Sequence, residues 1–227
     1  PAFNSNQEAL ESLVKAIELA GFDCYKQVGI SLDIAATQIY KEGGYQLKAE
    51  QRVLNTEEWS ELMLTWLKDY PISAIEDPFV ENDLESHAGL LKEIEKLDRK
   101  VQLVGDDLLV TNLTCIENAK KANACNTLLC KPNQIGTLSE AHSAYQQAKQ
   151  NGWETIVSAR SGESEDTTIC HLALGWGIQQ IKVGSFTRSE RMAKWNELLR
   201  LEERLGVDAK YAGPKIFSNE VSKKGNA

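Results

Sequence analysis

The sequence predicts an α/β fold built on a parallel β-sheet. Short apolar segments typical of buried strands alternate with amphipathic helical segments, and the strand–helix unit recurs about every 30 residues. Charged residues follow the apolar segments along the chain, in the order Asp33, Glu76, Asp106, Lys131, Arg160 and Lys182. Charges at successive carboxyl ends of parallel strands are typical of a β/α barrel with its site at that face.

An open doubly wound sheet is the competing fold. Such a sheet usually carries a glycine-rich phosphate-binding turn, and the sequence contains no such motif. The barrel is therefore the preferred prediction, although only six strand–helix units are visible and a closed barrel of this type has eight strands.

The first half of the chain contains three predicted helices and three predicted strands. The helices have apolar residues at helical spacing and span residues 4–20, 56–70 and 84–97. The strands span residues 28–33, 72–75 and 101–104. Residues 34–48 are interpreted as a loop or a hairpin, because Gly43 and Gly44 interrupt the pattern.

The second half of the chain repeats the alternation of strands and helices. Its predicted strands span residues 127–130, 154–157 and 179–181, and its predicted helices span residues 113–122, 139–151, 167–175 and 188–205. Thr137 and Glu140 have the spacing of a capping box for the helix that follows Lys131. We assign residues 1–217 to the barrel domain and residues 218–227 to a polar tail.

Composition excludes several classes of protein. The net charge of −8 argues against nucleic acid as a partner, and no apolar run reaches the 18 residues needed to span a membrane. The five cysteines lack the spacing of a metal site, so we expect reduced thiols in a cytoplasmic protein. The three histidines share no spacing and are interpreted as structural.

The charged strand ends suggest a chemistry. Asp33, Glu76 and Asp106 would repel one another at one face, and a hard divalent cation such as Mg²⁺ resolves that repulsion with oxygen ligands alone. Lys131 and Lys182 would lie opposite, where a lysine of lowered pKa could act as a base next to a substrate carboxylate. A ring of mutually neutralising ion pairs is the alternative interpretation.

Seven short motifs together resemble enolase, the 2-phosphoglycerate dehydratase of glycolysis. They lie at residues 31–37, 75–79, 104–108, 131–136, 161–166, 180–184 and 188–194, and the resemblance covers about residues 1–213. It implies an enolase-type TIM-like barrel of which about six of the eight βα units are present. It also favours true enolase over the sugar-acid dehydratases and racemases of the same superfamily.

The resemblance implies a role for each charged strand end. Asp33, Glu76 and Asp106 match the Mg²⁺ ligands, and Lys131 matches the base that removes the C2 proton. Lys182 matches the lysine that helps to hold the substrate carboxylate. The phosphate-binding pair is matched by Arg160 and Ser161.

Two departures from the family accompany the resemblance. Ala159 stands where the family has a histidine that contacts the substrate. The family also has more chain before Pro1, with a small domain, the first barrel strands, the lid loops and the glutamates assigned to the leaving hydroxide. We therefore expect residues 1–227 alone to be inactive.

Two functions follow from these observations. One is Mg²⁺-dependent dehydration of 2-phosphoglycerate to phosphoenolpyruvate. The other is an enolase-like structural or interaction subunit whose catalysis has weakened, and Ala159 favours it. We expect a homodimer when the protein is complete, or packing against the missing N-terminal part or another protein.

Overall fold

The computed structural model describes residues 2–213, so the predicted tail at 218–227 lies outside the described residues. The helices are α1 (Asn6–Leu19), α2 (Thr56–Asp69), α3 (Leu84–Ile94), α4 (Leu113–Ala122), α5 (Pro132–Ile135), α6 (Leu138–Gln150), α7 (Thr168–Trp176) and α8 (Ser189–Leu205). The strands are β1 (Ile30–Asp33), β2 (Tyr40–Lys41), β3 (Gly44–Leu47), β4 (Arg52–Leu54), β5 (Ile72–Glu76), β6 (Gln102–Gly105), β7 (Thr127–Cys130), β8 (Glu154–Ser158) and β9 (Gln180–Lys182).

All six predicted strands and all seven predicted helices are confirmed, with ends that shift by a few residues. The segment at 34–48 forms the hairpin β2–β3 rather than a loop, and β4 adds a third antiparallel strand that was not predicted. The turn expected after Lys131 is the short helix α5. The chain divides into two compact units, which are described separately: residues 2–104, 122–125 and 213, and residues 105–121 and 126–212.

The first unit contains a parallel set of strands, in which β5 pairs with β1 and with β6. All five residues of β5 are buried, as expected for a parallel strand covered on both faces. An aromatic cluster beside this set contains Tyr45, Trp59 and Trp66, with the rings of Tyr45 and Trp59 stacked 5.3 Å apart. The indole of Trp59 donates a hydrogen bond of 2.7 Å to the Pro78 carbonyl, which fixes the backbone just beyond β5.

Two glycines shape the antiparallel hairpin of this unit. Gly43 has a φ of +80°, a left-handed conformation that side chains disfavour. Gly44 packs against β4 so closely that a Cβ atom there would lie 2.6 Å from Cγ1 of Val53. These two constraints explain the glycine pair that interrupts the sequence pattern.

The second unit contains a parallel set in which β8 pairs with β7 and with β9. Every residue of β7 is buried, and Lys131 is the first residue after it. Thr137 caps α6 by accepting a 3.2 Å hydrogen bond from the Glu140 amide, which is one half of the predicted capping box, and its hydroxyl donates a 2.6 Å hydrogen bond to the Glu140 carboxylate. None of the helices in residues 2–213 has the length and hydrophobicity needed to cross a bilayer.

His87 is a buried histidine of α3 and supports the structural interpretation of this residue. Its ring lies edge-on to Phe79 at 5.4 Å, and Nδ1 lies 2.7 Å from the Asp83 carbonyl, which assigns the proton to Nδ1. Nε2 is buried without a hydrogen-bond partner among the described residues. Burial lowers the pKa of His87 below its usual value, because the charged ring would lose its hydration.

We expect His87 to destabilise the fold at acidic pH. Its folded pKa is lower than its unfolded pKa, so its stabilising effect is complete above about pH 6.5 and is lost as the pH falls below that value. The free energy of unfolding in urea, measured from pH 7.5 to pH 5, should therefore fall more steeply for the wild type than for His87→Leu. Thr65→Val provides the control, since it removes no titratable group from the exposed face of α2 and should keep the wild-type slope. Equal slopes for His87→Leu and the wild type would contradict this assignment.

Candidate active site

The parallel register of the first unit aligns two of the predicted metal ligands. Asp33, the last residue of β1, lies opposite Glu76, the last residue of β5. Glu76 in turn lies opposite Val104 in β6, two residues before Asp106 in the chain. Parallel strands end at one edge, so β1 and β5 both deliver a carboxylate to the carboxyl edge of this set.

The four acidic residues that follow or end β1, β5 and β6 differ in their exposure to solvent. Asp33 is exposed, whereas Glu76, Asp77 and Asp106 are buried, and each of these three offers a carboxylate oxygen that could hold a metal ion. Asp77 was not among the predicted ligands. Its φ of +42° turns the chain directly after Glu76, and the acidic pair before Pro78 is the sequence signal that could have identified it. These donors are all oxygens, which fits Mg²⁺ better than zinc.

In the second unit, Lys131 and Asp106 form an ion pair. Lys131 Nζ donates to Asp106 Oδ2, and both side chains are only 12% exposed. Asp106 directly follows β6 and Lys131 directly follows β7, so each residue is placed by the end of a buried strand. A predicted metal ligand and the predicted base are thereby in direct contact.

A hydrogen-bond network holds this ion pair in place. Gln134 Nε2 donates a 3.1 Å hydrogen bond to Asp106 Oδ1, the carboxylate oxygen not used by Lys131. Thr111 Oγ1 donates a 2.8 Å hydrogen bond to Gln134 Oε1 and accepts one of 3.0 Å from the backbone N–H of Lys131. Neither Thr111 nor Gln134 was predicted. Thr111 has a φ of +54°, a left-handed backbone conformation that the sequence of this segment does not predict.

The remaining predicted residues lie at the ends of β8 and β9. Arg160 and Ser161 are exposed in the loop after β8, where the Arg160 amide donates a 3.3 Å hydrogen bond to Asn133 Oδ1 of α5. Lys182 is the last residue of β9 and lies opposite Ser158, whose hydroxyl donates a 2.9 Å hydrogen bond to the Lys182 carbonyl. The roles assigned to Arg160, Ser161 and Lys182 stay predictions.

Ala159 borders a cavity of about 530 Å³ in the second unit. Asn133 from α5 and Glu163 and Lys194 line the same cavity. The alanine methyl group supplies no hydrogen-bond donor to this space. The cavity therefore lies beside the position at which the resemblance predicts a histidine.

Comparison with protein families identifies the family of the chain. A model of the family described as enolase, C-terminal TIM barrel domain, matches residues 1–220. The match extends over nearly all of the 227 residues and includes every predicted site residue.

Replacement of the Thr111 hydroxyl tests the network directly. Thr111→Val keeps the side-chain shape but leaves the partly buried Lys131 amide without its acceptor, and such a loss costs about 1–3 kcal/mol. The free energy of unfolding in urea should fall by this amount. Thr65 is the matched control, because its hydroxyl bonds the Glu61 carbonyl on the exposed face of α2, and Thr65→Val should change stability by less than about 0.5 kcal/mol. Equal effects of the two substitutions would show that the network contributes no stability.

Proposed function

The chain belongs to the enolase C-terminal TIM barrel domain family, and from this premise we propose that it forms the catalytic barrel of an enolase that dehydrates 2-phosphoglycerate. The observation that carries the proposal is the buried ion pair of Lys131 with Asp106. It joins a candidate base to a candidate metal ligand at the carboxyl ends of two parallel strands, where β/α barrels place their sites.

In the proposed reaction Lys131 acts as the base that removes the proton from C2 of the substrate. The electron pair of the broken C2–H bond then forms the double bond of phosphoenolpyruvate, the C3–O bond breaks, and the hydroxyl group takes a proton from solvent and departs as water. The network of Thr111 and Gln134 supports this role, because it fixes both the backbone and the partner of Lys131. A fixed base needs no reorganisation at the moment of proton transfer.

The proposed cofactor is Mg²⁺, held by Asp33, Glu76 and Asp106. The all-oxygen donor set and the alignment of Asp33 with Glu76 support this assignment. When bound, Mg²⁺ would supply positive charge against the negative charge that builds up on the substrate carboxylate. Lys182 would add a second positive charge to that carboxylate, and Arg160 with Ser161 would bind the phosphate through the guanidinium fork and the hydroxyl.

A second candidate function is that of an enolase-like structural or interaction subunit. The cavity bordered by Ala159 favours it, since one substrate contact expected of the family has no donor there. Glu76, Asp106 and Lys131 favour catalysis instead, because buried charges are costly to keep where nothing uses them.

We also propose that another part of the protein or a partner covers the outer strands. Among the described residues, β1 pairs only with β5, and β9 pairs only with β8. Open strand edges expose backbone donors and acceptors, and proteins usually cover them. A homodimer and a cytoplasmic location remain predictions of the sequence.

Exchange of the C2 proton with solvent tests the proposed base. In the complete protein with Mg²⁺ and 2-phosphoglycerate in D₂O, Lys131→Ala should slow exchange about 10²–10⁴-fold, as loss of a general base does. The control is Lys121→Ala, which removes an exposed lysine paired with Glu117 and should exchange at the wild-type rate. Nuclear magnetic resonance measures the exchange.

The outcomes separate the two candidate functions. Exchange in Lys131→Ala at the wild-type rate would remove Lys131 as the base. Absence of exchange in the complete wild-type protein would contradict the enolase reaction and favour the structural subunit.

A further inference from the structure

We propose that a buried ion cluster fixes the distance between the phosphate-binding and carboxylate-binding ends of the site, and so selects substrates by the separation of these two groups. This inference rests on the proposed function, which assigns the phosphate to Arg160 and Ser161 and the carboxylate to Lys182. It concerns three residues with no role in that proposal, Glu163, Arg191 and Lys194, which we call the α8 ion cluster.

The α8 ion cluster is largely buried, and both of its cations share the one carboxylate of Glu163. Arg191 forms an ion pair with Oε1 of Glu163, and Lys194 Nζ lies 2.6 Å from Oε2 of the same carboxylate. The side chains of Arg191, Glu163 and Lys194 are 12%, 6% and 2% exposed. Buried ion pairs are weak contributors to stability compared with apolar residues of the same volume. A cluster of this kind is therefore better explained by the geometry that it imposes.

Arg191 joins the two ends of the proposed site. Its Nη2 donates a 3.1 Å hydrogen bond to the carbonyl of Ser161, the proposed phosphate ligand. Its Nη1 donates a 2.9 Å hydrogen bond to the carbonyl of Val183, the residue after Lys182. One rigid, planar guanidinium thus holds the loop after β8 and the end of β9 at a set separation.

Gly184 allows this close approach. A Cβ atom at Gly184 would lie 3.2 Å from Nη1 of Arg191, and its φ of +96° is disfavoured for other residues. The backbone after β9 is therefore shaped to accept the guanidinium of Arg191.

Lys194 holds the middle of the same loop. Its Nζ donates to the Ser164 carbonyl at 2.7 Å and to the Glu190 carbonyl at 2.9 Å, and it forms an ion pair with the Glu163 carboxylate. Two donors of the ammonium group are thus used by backbone carbonyls. Since Arg191 and Lys194 are three residues apart on α8, one helix face holds the loop of Arg160 and Ser161 at two points.

The consequence concerns ligands that carry two anionic groups. A ligand with one group needs only one end of the site, so its affinity does not depend on the separation of the ends. A ligand with both a phosphate and a carboxylate gains from both ends only when their separation matches its own length. The α8 ion cluster should therefore affect the second kind of ligand much more than the first.

Binding measurements on Arg191→Lys in the complete protein test this inference. The lysine keeps the charge but cannot donate to two carbonyls in the fixed geometry of a guanidinium. By calorimetry with Mg²⁺ present, the Kd of phosphoglycolate, which carries both groups, should rise about tenfold, the effect of losing one charge-assisted hydrogen bond. The Kd of inorganic phosphate should stay within about twofold.

Arg200→Lys is the matched control, because Arg200 lies on the same helix and pairs with Glu197 at 3.0 Å on a more exposed face. It should leave both affinities unchanged. Glu163→Gln is a second variant, which removes the central charge with little change in volume. It should also weaken the binding of phosphoglycolate more than the binding of inorganic phosphate. Melting temperatures of all variants identify any that fail to fold.

Two results would overturn the inference. In the first, the wild type binds phosphoglycolate, and the folded variants at Arg191 and Glu163 have the same affinities as Arg200→Lys or bind both ligands equally more weakly. The cluster would then set no distance between the two ends of the site. If the complete wild-type protein binds neither ligand, the assignment of Arg160, Ser161 and Lys182 fails, and the proposed function fails with the inference.

Discussion

The carboxyl ends of parallel strands lie at one edge of their sheet. In this protein charged residues occupy those ends. In the first unit, the register of β1 against β5 places Asp33 beside Glu76. Like charges brought together in this way repel one another and lose hydration when buried, so they persist only with a counter-charge. In the second unit, Lys131 is the counter-charge of Asp106, and the proposed Mg²⁺ would supply a counter-charge to Asp33 and Glu76. Strand direction thus accounts for the edge of the sheet at which these charged groups lie.

Much of the fold could be predicted because the signals are local. The run of four buried residues in β7 ends at Lys131 and Pro132, and both residues mark the end of a strand. The capping of α6 by Thr137 is equally local, since the side chain and the amide that it caps are three residues apart. The charged residues at the strand ends were identified for the same reason, without knowledge of any tertiary contact.

The support around the site could not be predicted, because it depends on contacts between residues far apart in the chain. Gln134 reaches Asp106 across 28 positions, and Arg191 reaches Ser161 across 30. The left-handed backbone at Thr111 is likewise imposed by its surroundings, because threonine does not favour it. Sequence patterns therefore identified charged side chains that could react or bind, whereas the residues that hold them in position required the structure.

The binding of Mg²⁺ by acids at neighbouring strand ends is measured most directly by calorimetric titration of the complete protein. The wild type should bind Mg²⁺, and Asp106→Asn should bind it at least about tenfold more weakly, because one anionic ligand is lost. Asp208→Asn, which changes an exposed acid outside the site, should bind as the wild type does. Equal affinity in Asp106→Asn and the wild type would contradict a metal site at these strand ends.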